Sequence, residues 1–85
     1  MLVRKPTEQE IKNTENWGIW SKEPSTFDWY YDEKETCYIL SGKAEVTDKK
    51  GNKITFSKGD WVEFEVGLSC VWKINEAIKK RYKFG

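Results

Sequence analysis

Histidine is absent from these 85 residues. Imidazole acid–base catalysis is excluded with it, and so is any metal centre built on histidine. Cysteine occurs only twice, as Cys37 and Cys70, which allows one disulfide at most. No apolar run is long enough to span a bilayer, and no signal-peptide core follows Met1, so a cytoplasmic chain with no membrane partner is expected. In that compartment the two cysteines read as reduced thiols. A surplus of charge is missing as well. Charged residues are 34% of the chain, yet they sum to +1, so no strong field draws a polyanion and nucleic acid is not an expected partner. Nothing resembles a phosphate loop, a Ser/His triad or a glycosidase carboxylate pair. No repeat and no low-complexity linker divides residues 1–85, which read as a single domain.

What the chain does have is rings. Aromatics make up 15% of a sequence that is only 38% hydrophobic, so they supply much of whatever is buried. Lys5–Lys12 reads as one short helix, with Thr7 and Glu10 forming a capping box. Everything after Trp17 reads as β. Ala44 and Val46 alternate with polar neighbours, as do Ile54 and Phe56, and the loop Asp48–Asn52 between them is a Gly-containing hairpin. Lys58–Asp60 and Glu65–Leu68 are further turns, followed by Trp61–Phe64 and Cys70–Ile74. Lys79, Lys80, Arg81 and Lys83 form a basic run with Tyr82 and Phe84 interleaved; it reads as the solvated face of a last strand whose rings pack inward. Short strands at close intervals indicate an all-β barrel or sandwich, and closure suits a small chain because it removes exposed edges.

Two spaced blocks stand out. Glu35 and Gly42 are separated by six residues; Gly59, Glu65, Gly67 and Cys70 follow in order. Gly42, Gly59 and Gly67 are placed at strand turns, where φ is often positive. With Trp17, Trp20, Phe27-Asp28-Trp29-Tyr30-Tyr31, Tyr38-Ile39-Leu40, Gly59-Asp60 and Cys70-Val71-Trp72-Lys73, these blocks resemble the cupin superfamily. The closer resemblance is to a small single-domain family of the ethanolamine-utilisation and ureidoglycolate-related type. It implies a double-stranded β-helix, the RmlC-like jelly roll, preceded here by a short helix. Larger relatives implied by the same resemblance include a manganese-dependent ureidoglycine aminohydrolase. The resemblance also implies ligand positions. Glu35 keeps the glutamate. The two histidines before it fall on Trp29 and Tyr31, or on Asp28 and Tyr30, depending on the gap, and the later histidine falls on Cys70.

Strand alternation adds to this. Glu35 and Cys37 share a face, Cys70 and Trp72 share a face, and Trp29 and Tyr31 keep parity with Glu35 if the strand is continuous. Two functions are therefore expected. The first is binding of a small polar or planar molecule in a pocket formed by Trp29, Tyr31, Glu35, Cys37, Cys70 and Trp72; a carboxylate among rings suits a planar cation or a sugar. The alternative is a metal-dependent cupin enzyme, a hydrolase or isomerase acting on a ureide- or amidine-like substrate. It would hold a divalent ion (Mn, Fe, Ni or Zn) on Glu35 and Cys70. Monomer and homodimer are both compatible with the sequence.

Overall fold

The computed structural model describes residues 1–85. In chain order the elements are β1 (Leu2–Arg4), α1 (Glu8–Asn13), β2 (Gly18–Lys22), β3 (Thr26–Tyr30), β4 (Glu35–Asp48), β5 (Lys53–Ser57), β6 (Trp61–Phe64) and β7 (Ser69–Phe84). All pairings are antiparallel. Two long strands, β4 and β7, run side by side from Glu35 opposite Phe84 to Asp48 opposite Cys70. On its other edge β4 pairs first with β6 and then with β5. The far edge of β7 pairs with β3 through Ser69–Lys73 and with β2 through Ile78–Tyr82. Each long strand thus carries two short ones, and the sheet curls round a single core.

That core takes Cys37, Ile39, Ala44 and Val46 from β4, Phe56 from β5, Val62 and Phe64 from β6, and Cys70, Trp72, Ile74 and Ile78 from β7, with Tyr31 and Leu68 from the connections. Full burial of one such large side chain contributes about 1.5–3 kcal/mol. The inward positions of β4 change parity along the strand. Cys37 and Ile39 are odd, whereas Ala44 and Val46 are even. A one-residue slip normally turns a strand inside out. Here the slip is absorbed by register irregularities between Ile39 and Ala44, and Gly42 lies within them at φ +91°. A Cβ at Gly42 would come within 2.1 Å of the Ala77 carbonyl oxygen. Gly42 is therefore not at a strand turn, as its spacing suggested; it is a bend inside one continuous strand. Gly59 and Gly67 do sit in turns, both with positive φ.

Cys70–Ile74 and the basic tail are likewise one strand. All even positions of β7 from Cys70 to Lys80 except Glu76 are buried. The N-terminal helix is capped as its sequence reads: Thr7 Oγ1 accepts from the Glu10 N–H, and the Glu10 carboxylate accepts from the Thr7 N–H. Its position in space was not legible. Leu2–Arg4 adds a strand to the edge of β6, and the segment covers Trp61, which Trp17 meets at 5.4 Å and the Arg4 guanidinium at 5.3 Å. No helix is long and apolar enough to cross a membrane.

Candidate functional site

At the end of the sheet where β4 begins and β7 finishes, a cavity of about 230 Å³ opens to solvent. Its walls are Trp20 from β2, Phe27 and Trp29 from β3, and Trp72, Tyr82 and Phe84 from β7; Tyr31, Glu35 and Lys80 complete the lining. Trp29 is 49% exposed and Phe84 42%, so rings form the mouth as well. Phe27 stacks on Trp72 at 6.1 Å, and Trp20 meets Trp72 edge-on at 6.0 Å.

The floor is polar. Glu35 is 4% exposed and Lys80 5%, and Lys80 Nζ lies 3.1 Å from both carboxylate oxygens of Glu35. The Tyr31 hydroxyl donates to Glu35 Oε1 at 3.0 Å and accepts from the Trp72 indole N–H at 3.2 Å. Burial first, and the adjacent Glu35 charge second, push the Tyr31 hydroxyl well above its ordinary range, so it stays a neutral donor. Lys80 Nζ also sits 4.8 Å from the ring centroids of Trp20 and of Trp72. Its ammonium is thus held by a carboxylate on one side and two indole faces on the other.

Of the residues read from the sequence, Trp29, Tyr31, Glu35 and Trp72 line this cavity, and the two cysteines do not. Cys37 is fully buried in the core, where desolvation pushes its thiol far up against the partial relief of Lys80. Cys70 lies elsewhere, lining a shallow depression with Asp28, Tyr30 and Asp48. Its thiol donates to the Trp29 carbonyl oxygen at 3.6 Å. Burial, then the Asp48 charge, push that thiol up to about 11, so neither cysteine is a poised nucleophile. Cys70 therefore does not face Glu35 across the pocket.

Lys80 corrects the reading of the basic run as wholly solvated. It is the one cation of that run that points inward, because it shares parity with Trp72 and Ile78 on a single unbroken strand. Counting by twos from Trp72 would have found it, and would have added Tyr82 and Phe84 to the cavity.

A curled antiparallel sheet with a ring-lined mouth over buried polar groups makes a small β-barrel with a pocket at one end. The family model described as "EutQ-like cupin domain" matches residues 10–82, and the chain belongs to that family. A DUF861 family protein from Thermotoga maritima is 50% identical, with 99% of this chain and 98% of that one aligned and a TM-score of 0.95. The EutQ protein of Clostridium difficile superposes with a TM-score of 0.73 at 21% identity, over 79% of this chain and 52% of its own. A mutant oxalate decarboxylase of Bacillus subtilis aligns with 96% of this chain and 24% of its own, with a TM-score of 0.58 at 22% identity. These last two show likeness of fold. No curated protein matches the chain.

Cupins often bind metals, and the donor set decides whether this one offers a metal site. No group of three or more His, Cys, Asp and Glu side chains converges on one point. Both oxygens of Glu35 are held by Lys80, and Cys70 turns to a backbone carbonyl. A divalent ion at Glu35 would have to displace an ammonium already seated there, with too few further ligands to hold it. The residues present do not fit a metal.

Proposed function

We propose that this EutQ-like cupin binds a small planar molecule, which inserts between Trp29, Phe27 and Phe84 and rests on the polar floor formed by Lys80, Glu35 and Tyr31. One observation carries this reading: a buried ion pair lies at the bottom of an open cavity whose other walls are rings. Taking two charges out of water costs several kcal/mol per ion, and well-packed apolar side chains in their place are often at least as stable. An arrangement kept in spite of that cost, beneath half-exposed aromatics, is what a ligand site offers. The volume, about 230 Å³, is below the roughly 300–1,000 Å³ of pockets for drug-sized ligands. It suits one ring or two fused rings.

The metal-dependent hydrolase or isomerase gains no support from the donor set, and Cys70 drops out of the proposed site. Cys37 enters it only as packing beneath Glu35.

The five tryptophans provide the test. Trp20, Trp29 and Trp72 line the cavity, while Trp17 and Trp61 lie together under the N-terminal segment. Titration with single-ring fragments, followed through indole N–H resonances, should move the first three and leave the other two still. Trp29→Ala should weaken binding at least tenfold with the fold unchanged. Equal shifts at all five indoles, or none, would defeat the reading.

A further inference from the structure

A carboxylate facing aromatic rings suggests a cationic ligand, but here the position such a cation would take is filled by the chain itself. Lys80 Nζ touches both oxygens of Glu35 and stands 4.8 Å from two indole centroids. Carboxylate and cage are both already satisfied. We infer that Lys80 is a built-in occupant of a cation cage, and that the cavity it leaves selects a neutral planar ring carrying a hydrogen-bond acceptor. This rests on the cavity being a binding site, as proposed above.

Charge and hydrogen bonds point the same way. Glu35 and Lys80 are the only ionised groups in the lining, and they cancel. A ligand cation would enter beside an ammonium whose counter-charge is already used. A ligand anion would compete with Glu35 for that ammonium and leave two negative groups on one positive in a largely desolvated site. A neutral ring disturbs neither. The Trp72 N–H is spent on Tyr31, and the Tyr31 hydroxyl on Glu35. Lys80 carries three N–H donors, and its hydrogen bonds to side chains go to the two oxygens of Glu35. The third faces the Trp20 and Trp72 rings and the Cys37 thiol, and has no oxygen or nitrogen partner until a ligand brings one. The group it selects is a carbonyl oxygen or a ring nitrogen in the plane of the ligand.

Three probes of nearly one shape separate the possibilities: benzamide, benzoate and benzamidinium, titrated at pH 7 against the indole resonances of Trp20, Trp29 and Trp72. Benzamide should bind at least tenfold tighter than either ion. In Lys80→Met the cage and carboxylate are vacated, and the order should invert, with benzamidinium first. Benzamidinium or benzoate binding the native protein as tightly as benzamide would overturn the inference while leaving the cavity a binding site. If none of the three moves any indole, the binding reading falls, and this inference with it. If Lys80→Met folds and still favours benzamide, Lys80 is not the cage's occupant. If that variant does not fold, the native series decides alone.

Discussion

The cavity end of the sheet and the N-terminal segment are each organised round an ion pair, and the two pairs behave oppositely. In the N-terminal segment, Arg4 grips Glu10 with two hydrogen bonds of 2.6 and 2.8 Å. At the cavity floor Lys80 holds Glu35 at 3.1 Å. Distance alone would rank the first pair higher. Solvent reverses the order. Arg4 and Glu10 lie where water and salt screen both partners, and breaking such a pair leaves each free to hydrate. Glu35 and Lys80 are only 4% and 5% exposed, so removing one leaves the other with little solvent to replace it. The lesson concerns substitution more than strength: the tighter pair is replaceable, and the looser one is not.

The largest effect should therefore come from Lys80→Met. An unpaired buried carboxylate typically costs about 3–5 kcal/mol, a large share of the stability of so small a domain. Urea unfolding should show it, and the double variant Glu35→Gln/Lys80→Met should recover most of the loss, since it removes the stranded charge too. A single variant as stable as the native protein would mean that the floor is wetter than its burial indicates, and the contrast with the N-terminal pair would collapse.

Next in size is Gly42→Ala, which tests what holds the cavity end in register with the rest of β4. Strain from a positive φ at a non-glycine residue is of order 1–3 kcal/mol, and here the added methyl also meets the Ala77 carbonyl oxygen. Because the bend sets which side chains of β4 face inward, the loss should come with disturbed resonances at Cys37 and Ile39 on one side and at Ala44 and Val46 on the other. The helix α1 should be untouched. A neutral outcome confined to local shifts would show that the parity change does not depend on the glycine.

What could be read from the sequence follows the same division between local and distant. The capping box of Thr7 and Glu10, the hairpin closed by Asp48, and the alternation through Ala44, Val46, Ile54 and Phe56 each rest on residues a few positions apart. Glu35, Tyr31, Trp29 and Trp72 were legible as a group because spacing and parity both marked them. Lys80 was not, for a physical reason. Its immediate neighbours are Lys79 and Arg81, so local composition describes a solvated strand. Only the continuity of β7 from Trp72 onward, with its last residues paired to the start of β4, turns its stem toward Glu35, 45 positions away. Cys70 failed in the opposite direction. Its place in the spaced blocks suggested a ligand, but the site chemistry depends on where its sulfur points, and that is toward the Trp29 carbonyl. The N-terminal strand was missed because three residues of edge pairing leave no pattern to read.

The smallest effect on the barrel, and the sharpest on one group, should come from Arg4→Gln. The Arg4 guanidinium bonds, helped by the Thr7 N–H, hold the Glu10 carboxyl down at about 2, against its usual 4.5. A carboxyl with a lowered folded value contributes stability that is fully present above its unfolded value and is lost as the pH falls through the folded one. The N-terminal segment should accordingly loosen between pH 4.5 and about 2, with Trp17 and Trp61 reporting first. In Arg4→Gln the Glu10 midpoint should move back toward 4.5, though not all the way, because the Thr7 N–H still donates to it. Carboxyl-carbon titration by NMR measures this directly. At neutral pH the same variant should unfold at nearly the native urea concentration, with the indoles of Trp20, Trp29 and Trp72 unmoved. If those cavity indoles shifted with Glu10, the two ion pairs would be coupled through β6 and β4, and the segment would have to be regarded as part of the site.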